Sequence, residues 1–118
     1  MRTENPCFKK RWGINSGPAP VDNLRLELNP KGFCLLPYHH LEFVTFESDA
    51  GQDTLTLLFL NRAVCVTGKN LRELGLALQD RCVEFIKPQP ERYAPLVGDE
   101  VSVKAIEIQQ EQKGNNRA

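Results

Sequence analysis

The chain has 118 residues, which is enough for one domain that buries a hydrophobic core without disulfides or metals. Apolar residues make up 41% of the chain and charged residues 25%, as is typical of a globular protein. Fifteen basic residues balance fifteen acidic ones, which argues against a dedicated duplex nucleic-acid binder, because such proteins usually carry a basic excess. No apolar run approaches the roughly 20 residues that a transmembrane helix needs, so we expect no membrane association and a cytoplasmic location.

Residues 1–23 are predicted to form an irregular arm, because prolines and glycines recur along it. Within the arm, three successive cations stand between two aromatic residues. Cations can track a phosphate backbone, and aromatic rings can stack on unpaired bases. The candidate residues for binding single-stranded nucleic acid are therefore Lys9, Lys10, Arg11 and Trp12. The alternative is that the aromatic rings pack on the domain while the charges are solvated.

Residues 24–108 are predicted to form a single α+β domain in which short strands alternate with turns. Strand signals occur at residues 24–28, 33–36, 41–47, 54–60, 63–67, 83–86 and 101–108. In the fourth of these, Leu55, Leu57 and Phe59 indicate one buried face. The alternation of the last strand slips near Ala105, which indicates a β-bulge. These signals predict a bent antiparallel sheet or partial barrel of six to seven strands, followed by a polar tail at residues 109–118.

One helix is predicted over residues 70–81, packed on the sheet. Asn70 is a candidate N-cap, and Glu73 completes a capping box three residues later. Residues at helical spacing form an apolar stripe, namely Leu71, Leu74, Gly75, Leu78 and Cys82. The glycine on this stripe predicts that the helix lies close to the sheet. This succession of short strands and a capped helix resembles many small bacterial domains and indicates no particular family.

No motif of catalysis, metal binding or cofactor binding is complete in the sequence. His39 and His40 are adjacent, so in a strand their side chains would point to opposite faces, and no second ligand follows at a metal-binding spacing. Gly68 precedes a helix, but the remaining residues of a phosphate-binding loop are missing. We therefore assign no catalytic residue, metal ligand or cofactor.

The four cysteines have none of the spacings of zinc or redox motifs. Cys34, Cys65 and Cys82 fall within apolar patterns, where a free cysteine behaves as a small hydrophobic residue. We expect reduced thiols in a cytosolic protein. Cys7, in the arm, is the one thiol predicted to react fast.

Three leucines predict self-association. Leu76 lies about 140° around the helix from Leu71 and cannot share its core contact. Leu58 and Leu60 make one strand end apolar on both faces. A homodimer would bury these side chains, whereas in a monomer the arm would cover the second face. We interpret the chain as a non-catalytic binding or assembly module with a protein partner. The alternatives are a nucleic-acid-binding accessory protein that uses the arm, and a small enzyme built around His39 or His40.

Overall fold

The computed structural model describes residues 7–15, 17–28, 32–89 and 100–110. These residues are mostly in strands, with one α-helix and a short 3-10 helix at Tyr38–His40, which confirms the predicted α+β class. In chain order the elements are β1 (Phe8–Lys10), β2 (Asn23–Glu27), β3 (Phe33–Pro37), β4 (Leu41–Asp49), β5 (Gln52–Phe59), β6 (Arg62–Lys69), α1 (Arg72–Gln79), β7 (Val83–Ile86) and β8 (Ser102–Gln110).

The described strands form two four-stranded sheets that are not closed into a barrel. The first sheet has the order β1-β7-β2-β3, and the second has the order β4-β5-β6-β8. The predicted six to seven strands in one sheet or partial barrel are thus corrected to eight strands in two sheets. The difference arises because β1 forms inside the arm predicted to be irregular, and because β7 enters between β1 and β2, where it runs parallel to β2.

The hydrophobic core draws residues from both sheets and from α1. On β5, Leu55, Leu57 and Phe59 are buried and the residues between them are half-buried, so the predicted face of this strand is confirmed. On β2, Leu24 and Leu26 are buried by the same alternation. The period-2 pattern therefore places each sheet's apolar face in the core.

The β-bulge predicted near Ala105 lies in the pairing of β6 with β8. The register shifts between Thr67 and Gly68, which leaves Lys104 as the extra residue on β8. A Cβ atom at Gly68 would collide with the carbonyl oxygen of Ser102. Glycine is therefore required where the two backbones approach most closely.

The helix begins differently from the prediction. The N-cap position is Leu71 rather than Asn70, which has a φ of 59° and donates from its side-chain amide to the carbonyl of Glu100 at 3.0 Å. The cap comes instead from β5: the backbone N–H of Leu71 donates to the carboxylate of Asp53 at 3.0 Å. The predicted capping box of Asn70 and Glu73 is thus wrong, because Glu73 is only two residues after the N-cap position, and a carboxylate distant in sequence accepts the N–H of Leu71 instead.

Gly75 brings α1 against the second sheet. A Cβ atom at this position would lie 2.9 Å from the Cδ2 atom of Leu55 on β5. Such a distance is shorter than ordinary carbon contacts, which lie at about 3.5–4.0 Å. The predicted close approach of the helix to the sheet is therefore confirmed.

Candidate functional site

The outer face of α1 carries exposed residues at intervals of four. Arg72, Leu76 and Asp80 are exposed, whereas Leu74 and Leu78 are buried in the core. The Leu76 side chain is 54% exposed. It points away from the core, as the helical period indicated, and forms a ridge between two grooves.

The first groove, of about 420 Å³, runs between α1 and β4. Its walls include Val44 and Phe46 on the strand and Gly75 and Leu76 on the helix. Phe43 also lines it and is 54% exposed, while Phe46 is 37% exposed. Because β4 is an edge strand, no other strand of the described residues covers this side of the groove.

The second groove, of about 570 Å³, lies on the other side of the ridge, between α1 and the segment that follows β1. Trp12 and Pro18 form its outer wall and pair in an isolated β-bridge. The backbone N–H of Arg11 donates to the carbonyl of Cys82 at 2.7 Å. These contacts place Trp12 beside Leu76 with 56% of its surface exposed.

The residues around the ridge form a single exposed region, which we name the α1 surface and define as Trp12, Phe43, Phe46, Arg72, Leu76 and Asp80. The exposed fractions of its four apolar side chains correspond to about 400 Å², because a fully exposed aromatic side chain presents roughly 150–250 Å². This apolar surface continues around the edge of β4, since Phe43 and Phe46 lie on opposite faces of that strand, and apolar patches of this size often mark interaction sites.

Lys9 lies away from this surface. Phe8, which precedes it, is buried, so the side chain of Lys9 projects to the outer face of the first sheet. There its cross-strand neighbour is Phe85. The guanidinium of Arg25 stands over the Phe85 ring at 5.2 Å.

Lys10 and Trp12, by contrast, come together beside α1. The Lys10 ammonium is 5.1 Å from the centre of the Trp12 ring and 4.0 Å from the carboxylate of Glu73. Arg11 is exposed. The structure therefore does not align the three cations of the predicted nucleic-acid site on one face.

Leu58 and Leu60, the other predicted interface residues, lie at the hairpin end of the second sheet. Leu58 is half-buried between its cross-strand neighbours Phe43 and Ala63. Leu60 is 49% exposed in the turn after β5. Phe43 connects Leu58 to the α1 surface. Sequence reasoning missed Phe43. Phe43 and Phe46 are three residues apart, so their aromatic rings lie on opposite faces of one strand, with a sheet edge between them.

His39 and His40 lie in the 3-10 helix rather than in a strand, which corrects their predicted placement on opposite faces. Their ring centroids are 4.4 Å apart in an edge-to-face arrangement. Neither ring lines a groove beside α1. Within the described part of the chain, no group of three or more histidine, cysteine or acidic side chains is arranged to hold a metal ion.

All four cysteines are free. Cys7, predicted to be the fast thiol, is fully buried, and its sulfur accepts a hydrogen bond from the backbone N–H of Val103 at 3.3 Å. Burial raises the pKa of the Cys7 thiol above its usual value of 9.0. This burial argues against the predicted fast reaction of Cys7, because the residue just before β1 lies in the core. Burial also raises the pKa of Cys82, whose S–H donates to the carbonyl of Ala77 at 3.6 Å.

Comparisons with protein-family models, with curated proteins and with solved structures gave no match to this chain. Among the described residues, no helix has the length and apolar character needed to cross a membrane. Inferences about function therefore begin from the α1 surface itself.

Proposed function

We propose that this protein is a non-catalytic assembly module whose α1 surface binds another protein chain. One observation carries the proposal. Exposed apolar side chains from three elements that are distant in sequence converge around Leu76: Trp12 follows β1, and Phe43 and Phe46 belong to β4. Scattered exposed apolar residues need no explanation, but here Trp12 and Phe46 flank one exposed leucine and Phe43 extends the apolar surface around the edge of β4, and this grouping has the composition of an interface core.

The chemistry of the two grooves supports binding rather than catalysis. Cys82 lines the second groove, but its thiol is buried, donates to a backbone carbonyl and has a raised pKa, so it is a poor nucleophile. Arg72, which lines both grooves, sits on an exposed helix face rather than in a dry pocket. The free thiols are consistent with the cytoplasmic location that we also propose, because the cytosol keeps thiols reduced.

The nucleic-acid alternative has weaker support. Lys10 already has two partners, the ring of Trp12 and the carboxylate of Glu73. Lys9 faces another side of the molecule. If the arm nevertheless bound single-stranded nucleic acid, affinity would fall steeply with salt and would require Lys9 and Trp12 together. The absence of binding to any oligonucleotide at low salt would leave the α1 surface as the explanation for Trp12.

Site-specific photo-crosslinking in the protein's own cells tests the proposal. A benzophenone amino acid replaces Leu76 in one variant and Leu35 in the other. The two leucines are a matched pair because each is 54% exposed, and Leu35 lies on β3, away from α1. We expect a discrete cross-linked protein product from position 76 and none from position 35. Equal labelling from both positions, or no product from position 76, would overturn the proposal.

A further inference from the structure

We infer that the chain bound at the α1 surface is a second copy of this protein, with the two α1 helices packed antiparallel about a twofold axis at Leu76. This inference rests on the proposed function and names its partner. Twofold dimers are the commonest protein assemblies, and they require one surface patch that is complementary to itself.

The charges on α1 have this self-complementarity. Arg72 and Asp80 stand four residues before and after Leu76, all three exposed on one face of the helix. With a rise of 1.5 Å per residue, each charge lies about 6 Å along the axis from Leu76. Antiparallel packing at Leu76 therefore sets Arg72 opposite the partner's Asp80 and Asp80 opposite the partner's Arg72. One contact between identical helices yields two equivalent ion pairs.

The helix itself gives no reason for this charge order. A helix favours acidic residues in its first turn and basic residues in its last turn. On α1, Arg72 is the first helical residue and Asp80 is the C-cap, so both charges oppose the preferred order. Within the described residues, neither side chain takes part in an ion pair. An antiparallel copy supplies the opposite charge that each of them lacks.

The flanks of the helix fit the same symmetry. The twofold axis lies in the interface and runs perpendicular to α1. It therefore brings each flank of the helix opposite the same flank of the second copy. Trp12 thus faces the Trp12 flank of the second copy, and the Phe46 flank meets its counterpart, so apolar surface meets apolar surface. The apolar side chains on this face, Trp12, Phe46 and Leu76, supply about a third of the roughly 800 Å² that each partner buries in a standard interface, and the polar residues of α1 extend it.

Reversal of the two charges is a direct test, read by sedimentation velocity of the full chain at tens of micromolar. We expect a dimer for the wild type. Arg72→Glu and Asp80→Arg each place like charges in contact at two points and should weaken the dimer by about tenfold or more. The double variant restores both pairs and should again dimerise. An equimolar mixture of the two single variants should also form a dimer, because each supplies the charge that the other needs.

Two further variants test the position of the axis. Leu76→Glu should dissociate the dimer, whereas Leu35→Glu, which changes an equally exposed leucine, should not. Circular dichroism checks that each variant is folded. Because the reversed charges follow the helix's own preference, the charge variants should retain the wild-type helix signal.

The inference and the proposed function fail in different ways. A monomeric wild type together with a cross-link from position 76 to a different protein overturns the second copy as partner and leaves the assembly role intact. A dimer that ignores both single charge reversals overturns the antiparallel arrangement at Leu76. If position 76 gives no cross-link and Leu76→Glu leaves a dimer unchanged, the α1 surface is not a binding site.

Discussion

Replacement of Asp53 by alanine is a sharp test of how the second sheet holds α1. The carboxylate of Asp53 accepts the backbone N–H of Leu71 at 3.0 Å, immediately before the first residue of the helix. Leu71 is fully buried and Asp53 is only 9% exposed. Water therefore has little access to that N–H when the carboxylate is removed.

The expected cost follows from this burial. A lost N-cap typically costs about 0.5–2 kcal/mol, and a buried donor without an acceptor costs about 1–3 kcal/mol. These figures describe the same hydrogen bond and are not additive, so we expect Asp53→Ala to lower the free energy of unfolding by about 2 kcal/mol. For a domain of this size, that loss corresponds to a fall in Tm of about 8 °C.

Urea and thermal denaturation measure this loss, with two controls. Asp53→Asn keeps a side-chain oxygen as acceptor and should recover most of the lost stability. Asp49→Ala removes an exposed carboxylate near the other end of the same hairpin turn and should change stability by less than about 0.5 kcal/mol. An Asp53→Ala variant as stable as the wild type would refute the assignment of Asp53 as the helix cap.

Three further predictions concern the core. Gly68→Ala should cost about 3 kcal/mol or more in unfolding experiments, because its Cβ would collide with the carbonyl oxygen of Ser102 and displace β8. Burial raises the pKa of Tyr38 above its usual value of 10.0, so the unfolded state loses its proton first. The free energy of unfolding should therefore fall as the pH rises above about 10, and Tyr38→Phe should reduce that fall while losing about 1 kcal/mol at neutral pH. In thiol titration of the native protein, half-exposed Cys34 should react before buried Cys7.

Each of these predictions has a clear contrary result. Wild-type stability of Gly68→Ala would mean that β6 and β8 are farther apart than described. The Tyr38 hydroxyl donates to the carbonyl of Val83 at 2.8 Å. If the loss of stability at alkaline pH were the same in Tyr38→Phe, this hydroxyl would not be its cause. Fast labelling of Cys7 would place β1 outside the first sheet.

The local features of the fold were predictable because they depend on residues close in sequence. The alternation of Leu55 and Leu57 identified the buried face of β5, and the slip near Ala105 identified a bulge. The spacing of Leu76 from the apolar stripe identified an exposed position, and Gly75 indicated the close approach of α1. Each of these signals arises from side-chain geometry within a few residues.

Features that depend on distant residues were not predictable in this way. No local pattern pairs β7 with β1, and the three-residue β1 is too short to stand out from the prolines and glycines around it. The carboxylate that caps α1 lies 18 residues away from the N–H that it accepts. Phe43 and Phe46 acquire their importance only because β4 is an edge strand beside the helix. The candidate site was therefore predicted in part, through Leu76 as an interface residue and through Trp12, which the sequence assigned to nucleic-acid binding.

The order of strands in the first sheet has a consequence for how the chain folds. β2 and β3 form a hairpin, and β4, β5 and β6 form a meander, so both units are complete soon after their residues leave the ribosome. β7 is the last-made strand of the first sheet, yet it lies between the two earliest. The β1 segment must therefore wait, unpaired, until β7 emerges more than 70 residues later. Closing that long-range contact is expected to be the slow step of folding.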